Sequence, residues 1–247
     1  MKRGLTSLGV AVAGVLVPAI AHAAPDVVTG AGAASSGGAA PSSAVQLVVI
    51  LTAVSLAPAI ILSCTTFVRF VVVFGFLRNG LGTQGAPPNQ IIVGLSLFMT
   101  LFVMAPVATT IYEEAGRPYL DGTMDEGQAL AAATPPLRRF LLERTSADDL
   151  ALFYEVSDAA RPETADDVPL RIAIPAFVVS ELRTAFRIGL VILLPFLVID
   201  LVVASVLTAL GMVMVPPAIV SLPVKLLVFV AIDGWHLIVS SLLRGAA

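Results

Sequence analysis

Four apolar segments, at about residues 45–77, 89–112, 185–212 and 216–243, dominate the chain. Each is as long as, or longer than, the ~20 residues a helix needs to cross a bilayer. Apolar residues make up 57% of the chain, charged ones only 13%, and the mean hydropathy is +0.97. That balance lies outside the range of soluble domains and specifies a membrane protein.

The amino end adds an address. "MKRGLTSLGVAVAGVLVPAIAHAAPD" has a basic start at Lys2 and Arg3, a short apolar run and small residues at Ala21-His22-Ala23. It reads as a secretory signal over residues 1–23, cut between Ala23 and Ala24. Residues 24–43, "APDVVTGAGAASSGGAAPSS", are small and polar and read as a flexible leader. The single cysteine, Cys64, lies in an apolar run; it can form no internal disulfide and is assigned to packing.

Residues 113–184 hold 14 of the 17 acids and 7 of the 14 bases. The chain is therefore expected to fold as a first helical hairpin (44–112), a soluble helical block (113–184) and a second hairpin (185–247). In "PPLRRFLLERTSADDLALFYEV", Leu137, Phe140 and Leu141, then Leu150, Phe153 and Tyr154, follow helical i, i+3, i+4 spacing. Ser146 and Asp149 have the spacing of a capping box. Threading from an outside amino end puts the 78–90 connection in the cytoplasm and the acidic block outside, with Arg78 as slight support.

Prolines at 58, 106, 195 and 223 interrupt the apolar runs and predict bent or broken helices. Arg69, Asp200, Lys225 and Asp233 lie too deep in those runs to all reach an interface. A charge against lipid costs roughly 2.5–3.5 kcal/mol, so these side chains must face protein or water. Pairing of Asp200 or Asp233 with Arg69 or Lys225 is the first explanation; a proton or ion relay and contact with other subunits are the alternatives.

"GLGTQG" at Gly80–Gly85 spells the dinucleotide-binding GxGxxG, but its setting is wrong. An apolar helix precedes it, Pro87 and Pro88 follow, and the next acid is Glu113, so it reads as a tight turn. There is no serine elbow, Walker loop or HExxH, and after signal removal His236 is the one histidine. These counts disfavour catalytic triads and His/Cys metal centres; no cofactor is implied. No basic patch is present to neutralise nucleic-acid phosphates.

The stretches 55–107 and 168–243 resemble the FliP family of flagellar type III export-gate proteins. The blocks LGTxxxPPNQ, IPAFVxSEL, TAFxIG, DLVVASVL and DGW carry the resemblance. It implies an all-α, membrane-associated chain of two long kinked hairpins and a small helical block. It further implies a homopentamer joined by FliQ and FliR in a closed helical cone, working with FlhA and FlhB inside the basal-body ring of the bacterial cytoplasmic membrane. The implied substrates are unfolded rod, hook and filament subunits. The cleavable signal, the long soluble block and "VPLRIAIPAF" favour the flagellar branch over the sister gate protein of virulence secretion systems.

Family members commonly carry three consecutive methionines that close the pore as a gasket. The matching run here is Met212-Val213-Met214, with valine in the middle. Methionine is unbranched, adaptable and apolar, so a ring of such side chains can exclude water yet deform around a passing chain. Gly211 and Pro216-Pro217 place this run in a loop. Met99 and Met104 are assigned to the core. The competing function is a small-solute or ion transporter using Asp200 and Lys225 as a relay; a hydrolase is disfavoured for want of a nucleophile and base.

Overall fold

The computed structural model describes residues 40–83, 85–157, 162, 164–212 and 214–246. The signal cut at Ala23/Ala24, the leader before Ala40 and Val213 lie outside the described residues.

The elements are α1 (Ala40–Ser63), α2 (Phe67–Leu81), α3 (Asn89–Ile111), a wide i→i+5 turn (Tyr112–Gly116), α4 (Arg117–Leu120), α5 (Glu126–Glu143), α6 (Ala147–Ser157), a 3-10 turn (Ala165–Asp167), α7 (Leu170–Ala209), α8 (Pro217–Ala231) and α9 (Gly234–Ala246). The chain is all-α among its described residues, as expected. Among the described residues, two helices are long and apolar enough to cross a membrane: Asn89–Leu120, of 32 residues, and α7, of 40. The other two apolar segments are bent pairs, Val54–Ser63 with Phe67–Leu81 at 71° and α8 with α9 at 62°.

The breaks do not fall where prolines predict them. Pro58, Pro106, Pro195 and Pro223 all lie inside continuous helices. The bends sit instead where side chains or φ angles release the helix ladder. At the first, the Ser63 hydroxyl donates to Ala59 O and the Thr65 hydroxyl to Leu62 O, both at 2.8 Å, satisfying carbonyls at the end of α1. At the second, Asp233 adopts φ 52°, a left-handed conformation that Asp tolerates better than most residues. Gly234 then lets the chain pass Phe229, whose ring would lie 2.2 Å from an added Cβ.

The expected block boundaries also need revision. A helix runs from Asn89 to Leu120 through the boundary at 112/113, and α7 runs through the one at 184/185. The change in charge density is a change in what surrounds these helices, not in backbone conformation. Leader residues 40–43 likewise belong to α1. The capping box in this region is not Ser146/Asp149 but Asp125/Gln128 at the start of α5, with reciprocal bonds of 2.8 and 3.0 Å.

Two apolar cores result. One gathers Phe70, Phe74 and Leu77 of α2 with Met99 of α3, Phe196 of α7 and Phe229 of α8. The other joins Phe140, Leu141 and Tyr154 of the acidic block to Ile172 and Phe177 at the start of α7, with Leu137, Leu150 and Phe153 packed against it. Thus the helical spacing read in that block marks its buried face. Met104 packs at the edge of this second core.

Helix α2 runs parallel to α7. Arg69 meets Glu181, the Phe76 ring meets Phe186 edge-on with centroids 5.1 Å apart, and Gly80 faces Phe196. Gly189 permits this approach, because a Cβ there would lie 2.3 Å from Cδ2 of Phe76 and 3.0 Å from its Cβ. The clash is near the stem of Phe76, so rotating the ring does not relieve it. We expect Gly189→Ala to cost about 1–3 kcal/mol, read as a lowered Tm in detergent. Gly94→Ala, with nothing within 4 Å of its added Cβ, should be neutral or slightly stabilising.

Candidate functional site

The 210–216 loop is built by its backbone. Helix α7 ends in a Schellman motif: Gly211, at φ 72°, donates its N–H to Thr208 O at 3.0 Å, and Met212 donates to Leu207 O at 2.9 Å. Val215 N–H then bonds Met212 O at 3.2 Å, closing a turn around the tip. Pro217 opens α8 at a position where a helix needs no N–H. Met212 is 45% exposed and Met214 95% exposed, so Met214 in particular stands clear of its own chain. Their place in a loop agrees with the expectation from Gly211 and the double proline.

Behind the loop stands a polar cluster in otherwise apolar helices. Lys225 Nζ of α8 donates to Asp200 Oδ2 of α7 at 2.6 Å and to Gly80 O at 3.0 Å. Ser221 Oγ donates to Asp200 Oδ1 at 2.6 Å. The Lys225 side chain is only 6% exposed, whereas that of Asp200 is 38% exposed. The cluster ties together both helices that carry the loop and the last turn of α2. Within Gly80–Gly85, Gly80 and Leu81 end α2 and the chain turns after them, with Gly82 at φ 73° and Gly85 at φ 94°.

Arg69 does not join this cluster. Its Nε donates to Glu181 Oε2 at 2.8 Å, its Nη2 to Glu181 Oε1, and its Nη1 to Gly245 O at 2.7 Å. Of the expected pairings, then, only Asp200 with Lys225 forms. Arg69 lies near the start of α2, and parallel packing brings that end to Glu181 rather than to Asp200, farther along α7. Asp233 makes no ion pair among the described residues; it is exposed at the α8–α9 bend.

Glu181 was missed because it was assigned to the soluble block. Its signal was nevertheless present: an acid inside the apolar stretch "IPAFVVSEL". Next to it, Ser180 Oγ donates to Asp149 at 2.6 Å and accepts from Ser146 N–H at 2.9 Å, while Arg183 pairs with Asp149. Asp149 is thus buried against α7 rather than closing a capping box. Arg144 lies 4.2 Å from the Phe140 ring centroid and donates from Nη2 to Ala246 O at 2.8 Å. Burial lowers its pKa from the ordinary guanidinium value, with Glu143 opposing the shift.

These groups hold helices in register. Among the described residues, no group of three or more His, Cys, Asp and Glu is placed to hold a metal ion. The sequence profile of the FliP family matches residues 50–242, which include the loop, the Asp200–Lys225 cluster and the Arg69–Glu181 pair. The chain belongs to the FliP family. It is 45% identical over 245 residues to the flagellar biosynthetic protein FliP of Caulobacter vibrioides, covering 98% of this chain and 90% of that one. It is 48% identical over 203 residues to the FliP of Bacillus subtilis, covering 82% and 92% of the two chains. The FliP of Pectobacterium carotovorum is 48% identical over 207 residues, covering 84% of this chain and 80% of its own.

Membership in the FliP family places Arg69, Glu181, Asp200 and Lys225 within the matched region. Removing one member of a buried pair leaves the other charge uncompensated, at about 3–5 kcal/mol. Glu181→Ala should therefore lose most of the folded protein, measured as accumulation in membranes and as Tm in detergent. Lys225→Ala should lose less, since Asp200 is partly exposed, and the exchange Asp200→Lys with Lys225→Asp should recover part of that loss.

Proposed function

We propose that the chain is a core gate subunit of the flagellar type III protein export apparatus, an integral protein of the bacterial cytoplasmic membrane. In this reading it forms a homopentamer with FliQ and FliR, works with FlhA and FlhB within the basal body, and passes unfolded rod, hook and filament subunits. The observation that carries the reading is the pair Met212 and Met214, exposed on a loop whose two flanking helices are locked together by Asp200 and Lys225. Membership in the FliP family supports the flagellar role.

The physical logic is a soft tip on a rigid base. A pore for unfolded chains must exclude water and ions at rest and yield to side chains of every size. Several copies of the loop, meeting at an axis, bring apolar flexible thioethers together and close the pore by dewetting. The Asp200–Lys225 bond keeps the loop's supports fixed while its tip deforms. The same pair, engaged with Ser221 and Gly80 O, serves here as a structural tie rather than a relay.

Deleting the gene should abolish swimming and the appearance of hook and filament proteins in the medium, and a wild-type copy should restore both. Normal flagella with a lost effector-secretion phenotype would assign the chain to the virulence branch instead. At the loop, Met212→Ala with Met214→Ala should leave assembly intact but raise the resting ion conductance of the membrane. An assembled double mutant with unchanged conductance would remove the gate assignment from these residues.

A further inference from the structure

The end of α2 carries a carbonyl that serves more than α2. The last C=O groups of a helix have no partner within it. Here Asn79 O takes the N–H of Gly82 at 3.1 Å, and Gly82, at φ 73°, turns the chain away. Gly80 O is taken by Nζ of Lys225 at 3.0 Å, in a buried contact. A lysine of α8 thus caps α2, as basic side chains do when they reach terminal carbonyls.

Gly80 is a firm point of reference. An added Cβ there would lie 2.7 Å from Cδ2 of Phe196 and 3.0 Å from Cδ2 of Leu193, so the α2 backbone is seated directly on α7, one turn before Asp200. Lys225 therefore has acceptors on two different helices: the carboxylate of Asp200, on a partly exposed side chain, and the buried backbone carbonyl of Gly80. One ion pair fixes a distance and leaves α8 free to swing about it. A second acceptor, held by backbone, fixes the direction.

Direction matters because of where the cluster stands. Lys225 is eight residues into α8 from Pro217, and Asp200 is nine residues before the end of α7 at Ala209. At 1.5 Å per residue, the methionine loop stands ~12–14 Å beyond them. Among the described residues from 201 to 222, only Leu207 and Ser221 are buried in the chain itself. Within the chain, then, the aim of the loop is set at its base, and a small rotation there becomes a larger displacement of Met212 and Met214.

We propose that Gly80 positions the gate loop, acting through Lys225: its carbonyl, held by the turn at Gly82, sets the angle at which α7 and α8 carry Met212 and Met214. This role rests on the gate reading of the two methionines, and it gives the first hairpin a part in closing a pore built by the second.

The test reads resting ion conductance per assembled complex, with the amount of complex measured in the same membranes. Gly80→Ala, whose Cβ must displace Phe196 or lift the end of α2 from α7, should raise the leak severalfold while the complex still assembles. Gly75→Ala, on the same helix with nothing within 4 Å of its added Cβ, should not. Phe196→Leu makes room for the added methyl and should reduce the leak of Gly80→Ala. Gly82→Val, branched at Cβ and ill-suited to a left-handed turn, should leak as Gly80→Ala does, whereas Gly82→Asn, which tolerates that conformation, should stay closed. Added to Met212→Ala with Met214→Ala, Gly80→Ala should raise the leak no further, since both act at one tip. Wild-type leak in Gly80→Ala and Gly82→Val overturns the proposal, as does a leak that sums with that of the methionine variant. Loss of assembly in both glycine variants overturns it too, because Gly80 then holds the fold and not the loop. A tight methionine variant removes the gate reading itself; a leaky one beside a tight Gly80→Ala removes only the positioning role.

Discussion

The fold depends on α2 lying parallel to α7 at close range, and one buried ion pair sets that register. Arg69 grips Glu181 through two nitrogens and reaches Gly245 O with a third, so one guanidinium joins α2, α7 and α9. Two charges taken out of water are costly unless their hydrogen bonds are satisfied, and this geometry satisfies three donors at once. Moving along both helices from that point, Phe76 meets Gly189 and Gly80 meets Phe196 and Lys225. A shift of α2 by one helical turn would break the ion pair, drive Phe76 out of its glycine notch and strip Lys225 of its carbonyl together.

That register explains why the charges sort as they do. An acid and a base in apolar helices attract any opposite partner, and composition alone cannot choose among four charged positions. Direction and offset make the choice. Because α2 and α7 are parallel, the early base pairs with the early acid, and Lys225 is left for Asp200 near the loop. Asp233 falls at a bend, where its exposed side chain and left-handed backbone remove the need for a buried partner.

The four apolar segments, the loop between Gly211 and Pro217, the turn that begins at Gly82 and the buried face of the acidic block were all legible from spacing and residue type. The bends were not. Prolines mark where a helix loses a donor, but inside a bundle neighbouring groups can keep the chain helical through that loss. The bends went to 64–66 and 232–233, where hydroxyls or a left-handed aspartate reconcile the freed backbone groups. Glu181 was hidden for a related reason: charge density drew a boundary at residue 184, whereas α7 crosses it unbroken. Long-range pairing depends on the offset of two helices separated by about a hundred residues of chain, and no local pattern encodes it.

Much of α7 between Phe186 and Leu210 is apolar yet exposed in the single chain, and Phe98 and Phe102 of α3 are about 70% exposed, at 69% and 71%. Lipid or other subunits must cover such surface, because exposed patches of this extent are not stable in water. Met214 belongs to a different class. It stands on a turn tip rather than on a helix face, and no bilayer is needed to explain a helix end that a Schellman motif and a double proline already terminate. An apolar side chain held out on a rigidly supported turn gains little in its own chain; in the proposed gate it gains burial where several tips meet. In that proposed gate the valine between the two methionines would differ through shape, since valine is branched at Cβ and stiff at χ1. Within the proposed gate, that places a layer of limited compliance between two compliant ones, so sealing and yielding fall to Met212 and Met214.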